Sequence, residues 1–123
     1  MTKIERFEDL QSWQKARLLT NLVYDLTGHS DFSKDFRMRD QIRDAAGLVM
    51  HNVAEGFDSG SNPEFIRFMK MARRSASEVQ SQLYLALDRK YITIEELKKA
   101  YDLATEAKRL INGIIAYLRK NSD

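Results

Sequence analysis

Cysteine is absent from the 123 residues, which excludes disulfides, thiolate metal sites and cysteine nucleophiles together. One proline and five glycines leave few points at which a helix has to stop. The 2 histidines, His29 and His51, narrow the scope for metal or acid–base chemistry. No apolar run approaches the roughly 20 residues that a membrane span needs, so no membrane partner is expected. A strong excess of one charge is missing as well. Lys and Arg number 20 against 18 Asp and Glu, a net charge of +2, short of the excess typical of nucleic-acid-binding tails. The opening residues, MTKIERFEDL, are charged where a secretory signal would be apolar, and a cytoplasmic location is expected. No low-complexity segment or linker interrupts the chain.

What is present is helical periodicity, within a length that suits one domain over residues 1–123. A first helix is expected from about Glu8 to Thr27. Leu10, Trp13, Ala16, Val23 and Leu26 form its apolar face, Leu18, Leu19, Leu22 and Tyr24 widen it, and Gly28 lies just past its end. Ser33 reads as the N-cap of a second helix with the stripe Phe36, Ile42, Ala45, Ala46, Val49 and Val53, stopped by Gly56 as a left-handed C-cap. Asn62 and Pro63 read as N-cap and first position of a third helix, running to about Lys90 on Phe65, Met69, Ala72, Ala76, Val79, Leu83 and Ala86. Steps of four and three along that seam suit a shallow crossing angle. Thr93 and Glu96 form a capping box for a fourth helix that reaches Arg119, with Lys120, Asn121, Ser122 and Asp123 fraying. The fold class that follows is all-α, an antiparallel up-down-up-down four-helix bundle.

The hairpin from Ile42 to Glu78 organises the rest, because small residues (Ala45, Ala46, Gly47) on its first helix admit a close neighbour. Residues 83–87 (LYLAL) and 48–50 (LVM) carry more apolar surface than one stripe per helix uses. Such a surplus marks an interface, and a homo-oligomer is expected.

Chemistry has few candidates. His51 and Glu55 share a helix face, but a bundle di-metal site needs a second such pair and further carboxylates, so no metal or cofactor is expected. Ser75 and Ser77 sit mid-helix without a nearby histidine, and Gly56 and Gly60 lack the context of a phosphate loop. No enzyme is read. The suggestive feature is basic: between Phe65 and Ser75 stand Arg67, Lys70, Arg73 and Arg74 with no acid. Positions 67, 70 and 74 share one face and suit sequence-independent phosphate contacts. A solvated helix face explains four isolated charges equally well, but repetition in an oligomer would sum their field.

Several short motifs are familiar in combination. Phe7-x-x-Leu10-x-x-Trp13-x-x-Ala16 opens the chain, and Gln41-x-Arg43-x-Ala45-Ala46 leads to Asn52-Val53-Ala54-Glu55-Gly56-Phe57. Glu64-Phe65-x-x-Phe68, Ala72-x-x-Ser75-x-x-Glu78, Gln82-Leu83 and Ala86 follow. Through these residues the chain resembles the four-helix-bundle proteins encoded in 23S rRNA intervening sequences, which also bear a ribosomal-protein family name. It is similar, too, to the accessory variability protein of retroelements. The resemblance implies a ring-forming bundle, typically a pentamer, and a nucleic-acid partner, RNA or DNA. Two positions depart from the pattern: Asp44 stands where the family often has a second arginine, and Arg74 where it commonly has glycine. The expectation is a non-enzymatic, ring-like bundle that binds nucleic acid through Arg67, Lys70, Arg73 and Arg74. The alternative is a protein-interaction scaffold that binds none.

Overall fold

The computed structural model describes residues 3–121, and among them α1 (Gln11–Thr27), α2 (Phe36–Phe57), α3 (Asn62–Asp88) and α4 (Ile94–Lys120), with no strand. The expected fraying of Ser122 and Asp123 lies outside the described residues, as do Met1 and Thr2 of the opening segment. Lys120, placed in the frayed end by its position, is the last residue of α4.

Each helix packs on its two neighbours in a square: α1 on α2 and α4, α3 on α2 and α4. Hydrogen bonds fix the directions. Thr20 Oγ1 lies 2.8 Å from Ala16 O and 3.0 Å from Ala46 O, and Arg43 Nε donates to Thr27 Oγ1 at 2.7 Å, so α1 and α2 run antiparallel. Between α3 and α4 the pairs are Asn62 with Asn121, Arg73 with Asn112, and Gln80 with Thr105, again antiparallel. Tyr91, just after α3, donates to Asp35, the cap of α2, at 2.9 Å. The bundle expected from periodicity is therefore present.

Local chemistry sets the helix ends, and several differ from the sequence reading. A short 3-10 turn (Phe7–Asp9) precedes α1, which begins three residues later than expected, with Leu10 at its N-cap. Ser33 is not a cap. It sits in a second 3-10 turn (Asp31–Lys34) that buries Phe32 against Tyr91, ring centroids 5.2 Å apart. Asp35 takes the capping role, its Oδ1 accepting from Met38 N at 3.2 Å. Ser61 rather than Asn62 caps α3 by accepting from Glu64 N at 3.3 Å. The Thr93–Glu96 capping box is present: Glu96 N donates to Thr93 Oγ1 at 3.1 Å and Thr93 N to Glu96 Oε1 at 2.9 Å.

Gly56 has a different role from the one its sequence position suggested. It lies inside α2, buried where α2 crosses α3, and a Cβ there would sit 2.9 Å from Phe68 Cβ and 3.0 Å from Phe65 Cδ1. Absence of a side chain, not a left-handed φ, is what the site requires. The positive-φ glycine of the hairpin is Gly60, at +91°. After α3 the left-handed position falls to a non-glycine, Lys90, at φ 64°, where Tyr91 N closes the helix on Ala86 O at 2.9 Å.

The core has two clusters. One, around Leu19, Val23, Phe32, Ile42, Val79 and Leu83, fills the end where α2 begins and α3 ends. The other, around Val49, Val53, Met69, Ile111 and Ile115, fills the opposite end. Buried alanines on all four helices, including Ala16, Ala46, Ala76 and Ala104, let the backbones approach. One buried amide interrupts the apolar contact of α3 with α4. Gln80 donates through Nε2 to Thr105 Oγ1 (2.9 Å) and Tyr101 O (3.3 Å), and its Oε1 accepts from Lys108 Nζ (3.0 Å). Three residues assigned to apolar stripes face outward instead: Phe36 is 63% exposed, Leu18 53% and Tyr24 49%. The buried periodicity of α2 starts two residues later, at Met38.

Candidate nucleic-acid interface

The third helix carries all four residues of the basic run, but their side chains part company. Arg67, Lys70 and Arg74 are exposed on its outer side, whereas Arg73 is half-buried at the seam with α4. There Arg73 Nη1 donates to Asn112 Oδ1 at 2.7 Å, so its charge ties two helices together. Helical geometry explains the split, since Arg73 lies about 100° around the helix from Arg74 and about 120° from Arg67, on the side toward α4.

Arg67 has intramolecular partners as well. Its Nε and Nη2 donate to the two carboxylate oxygens of Glu64 at 3.2 and 3.0 Å. Its guanidinium lies 4.6 Å from the Phe68 ring centroid. The paired hydrogen bond holds the Glu64 carboxyl below its ordinary pKa and pushes Arg67 up. Such an exposed pair is worth little to stability, but it offsets the charge that an incoming phosphate would feel. The acid-free run begins at Phe65, one residue after Glu64, so the partner of Arg67 stands just outside it, three residues before Arg67 on the same helix face. Lys70 and Arg74 make no hydrogen bond or ion pair among the described residues. They are the two cations of the run with full freedom to reach a ligand. Of the two positions that depart from the family pattern, Asp44 is exposed on α2 and Arg74 on α3.

His51 is exposed, with its ring packed 3.7 Å from where a Cβ of Gly47 would be, and Glu55 is exposed. Among the described residues no group of three or more His, Cys, Asp or Glu could hold a metal. No helix there is long and apolar enough to cross a membrane. The surplus apolar segments resolve residue by residue: Leu83, Ala86 and Val49 are buried, whereas Leu48, Tyr84 and Leu85 are each about half exposed.

Residues 8–113 match the family described as 23S rRNA-intervening sequence protein. The chain is also similar to a solved crystal structure from Bacteroides thetaiotaomicron VPI-5482, a protein of unknown function from the S23 ribosomal protein family. The two superpose with a TM-score of 0.78 at 24% identity, over 85% of this chain and 95% of that one. That likeness concerns the fold. Among proteins of curated function, none matches the chain.

Proposed function

The chain belongs to the 23S rRNA-intervening sequence protein family, and we propose that it is a non-enzymatic, self-associating bundle that binds RNA or DNA through the outer face of α3. The observation that carries this reading is the pair Lys70 and Arg74, exposed on one face and free of intramolecular partners, with Arg67 beside them. Mobile cations on a rigid helix suit phosphate oxygens, which demand charge and reach rather than a shaped pocket. Each subunit brings only a few such charges, so assembly into a ring would be what makes the field effective. Half-exposed Leu48, Tyr84 and Leu85 support self-association, and the pentamer is the state the family resemblance implies.

Fluorescence anisotropy with duplex DNA across a salt series tests the reading. Lys70→Ala with Arg74→Ala should flatten the slope of log K against log salt by about 1.8, at ~0.9 per phosphate contact. Glu64→Gln should steepen it by about 0.9, because it releases Arg67. Absence of retention of mixed RNA and duplex DNA at about 50 mM salt overturns the proposal. Light scattering that shows a monomer at micromolar concentration overturns the self-association. The neutralised Arg67 favours a second reading, a scaffold whose partner is a protein, and a partner retained from nuclease-treated lysate is its signature.

A further inference from the structure

The start of α2 and the end of α3 meet at one end of the bundle, held by the hydrogen bond from Tyr91 to Asp35. Around that bond lies a shallow depression of about 750 Å³, lined by Lys34, Phe36, Arg37, Arg89 and Tyr91 with Asp31 and Asp35. A second depression of about 380 Å³ shares Asp35, Arg37 and Arg89 and continues over Gln41 and Leu85. Arg37 and Arg89 therefore stand on the ridge between two hollows.

Three features set this surface apart. The first is an aromatic ring in water: Phe36, at the first position of α2, is 63% exposed. A ring at that position contributes nothing to the core, which begins at Met38 on this helix. The second is how the ring is held. The Arg39 guanidinium lies 4.8 Å from its centroid, and Arg39 is itself fixed by Asp40 Oδ1 at 2.9 Å and Ser33 O at 3.2 Å. Phe36 is thus backed by a cation in a fixed position. The third is charge. Lys34, Arg37 and Arg89 are exposed, and Lys34 and Arg37 make no hydrogen bond or ion pair among the described residues. Of the two acids, Asp35 has both oxygens in use, one on Met38 N and one on the Tyr91 hydroxyl. Asp31 is exposed at the rim.

An exposed aromatic face flanked by cations, two of them unpaired, is the chemistry that receives an unstacked base with its backbone phosphates. We propose that this end of the bundle is a subsite for single-stranded nucleic acid, in which one unpaired base stacks on Phe36 and the adjoining phosphates take Lys34, Arg37 and Arg89. A duplex keeps its bases inside and can use only the cations. The subsite rests on the proposed nucleic-acid binding but uses none of the residues of the α3 basic face, so it goes beyond the phosphate contacts proposed there. It makes the protein prefer unpaired strands.

The test is anisotropy with full-length protein and a labelled single strand of roughly ten nucleotides, a span that a platform and its flanking cations can cover. Phe36→Ala should weaken binding by about 5- to 150-fold, the range for loss of one base–aromatic stack, and leave the salt slope unchanged. Phe36→Trp should restore it. Arg37→Ala with Arg89→Ala should reduce the slope by about 1.4, at ~0.7 per phosphate for single strands. Unlabelled duplex of the same length should compete poorly. Wild-type affinity in Phe36→Ala, or equal competition by duplex, overturns the subsite. Displacement of the strand by a free nucleoside monophosphate at micromolar concentration also overturns it, in favour of a mononucleotide pocket. Loss of binding in the Lys70/Arg74 variant alone, with the Phe36 and Arg37/Arg89 variants unaffected, leaves the α3 face standing and removes this subsite; the reverse pattern does the opposite.

Discussion

Replacing Gly56 with alanine should destabilise the protein, although alanine is the better helix former. The position lies within α2, so the substitution gains about 1 kcal/mol of intrinsic helix propensity. Against this stands the crossing with α3. The new methyl would lie 2.9 Å from Phe68 Cβ and 3.0 Å from Phe65 Cδ1, with Phe65 O at 3.4 Å. A Cβ is anchored to its backbone and cannot swing aside, so relief requires the two helices to separate. Overpacking costs about 1–3 kcal/mol, and a clash between two backbone-anchored Cβ atoms falls in the upper half, about 2–3 kcal/mol, which leaves a net loss of about 1–2 kcal/mol. With an unfolding entropy of ~2.1 cal/mol/K per residue, the midpoint should fall by about 4–8 °C. Gly113 supplies the control. It is also inside a helix, α4, but a Cβ there meets nothing within 4 Å. Gly113→Ala should keep the propensity gain and raise the midpoint by about 4 °C. The assay is thermal unfolding followed by circular dichroism for both variants side by side. If Gly56→Ala rises as Gly113→Ala does, the close α2–α3 approach is not a constraint and the reasoning fails.

Two other substitutions probe the turn after α3. Lys90→Gly should stabilise by about 1 kcal/mol, read as a higher denaturant midpoint at constant m-value, since glycine takes a left-handed φ without strain. Tyr91→Phe should remove an alkaline weakness. The hydroxyl's hydrogen bond to Asp35 raises the Tyr91 pKa above its ordinary value, partly opposed by Arg89. The bond's contribution is therefore complete below pH ~10 and is lost as pH climbs through the raised folded-state pKa. Wild type should lose stability in that alkaline window and Tyr91→Phe should not; matching pH profiles refute the link.

The four helices were legible because each repeats apolar residues at three- and four-residue steps, and because one cap, Thr93 with Glu96, is a reciprocal motif that needs no tertiary context. Other caps were harder because several capping residues stand close together. Ser33 and Asp35 are two apart, and burial of Phe32, just before Ser33, draws Ser33 into the 3-10 turn and leaves the cap to Asp35. Ser61 and Asn62 are adjacent, and a shift of one residue separates them. Gly56 stands out in the sequence without showing why, since a close crossing and a helix end both select glycine. The basic run was visible as composition, but its division was not. Whether Arg73 reaches Asn112, 39 positions away, is a property of the α3–α4 seam. The end cluster was invisible for the same reason: Arg37 and Arg89 share a ridge only once α2 and α3 lie side by side.

The buried Gln80 has a bearing on how α3 and α4 choose their alignment. An interface lined by alanines is almost periodic, and sliding one helix past the other by a turn, ~5.4 Å, would replace one small side chain with a similar one. Such alignments differ little in apolar contact. Gln80, however, finds Tyr101, Thr105 and Lys108 on a single face of α4 at one axial setting. Displaced by a turn, it would leave a buried amide unsatisfied, at a cost of about 1–3 kcal/mol. The group acts as a detent. It converts a smooth slide into discrete stops, of which one is occupied, and so holds the charges carried by α3 at a fixed height relative to those on α4.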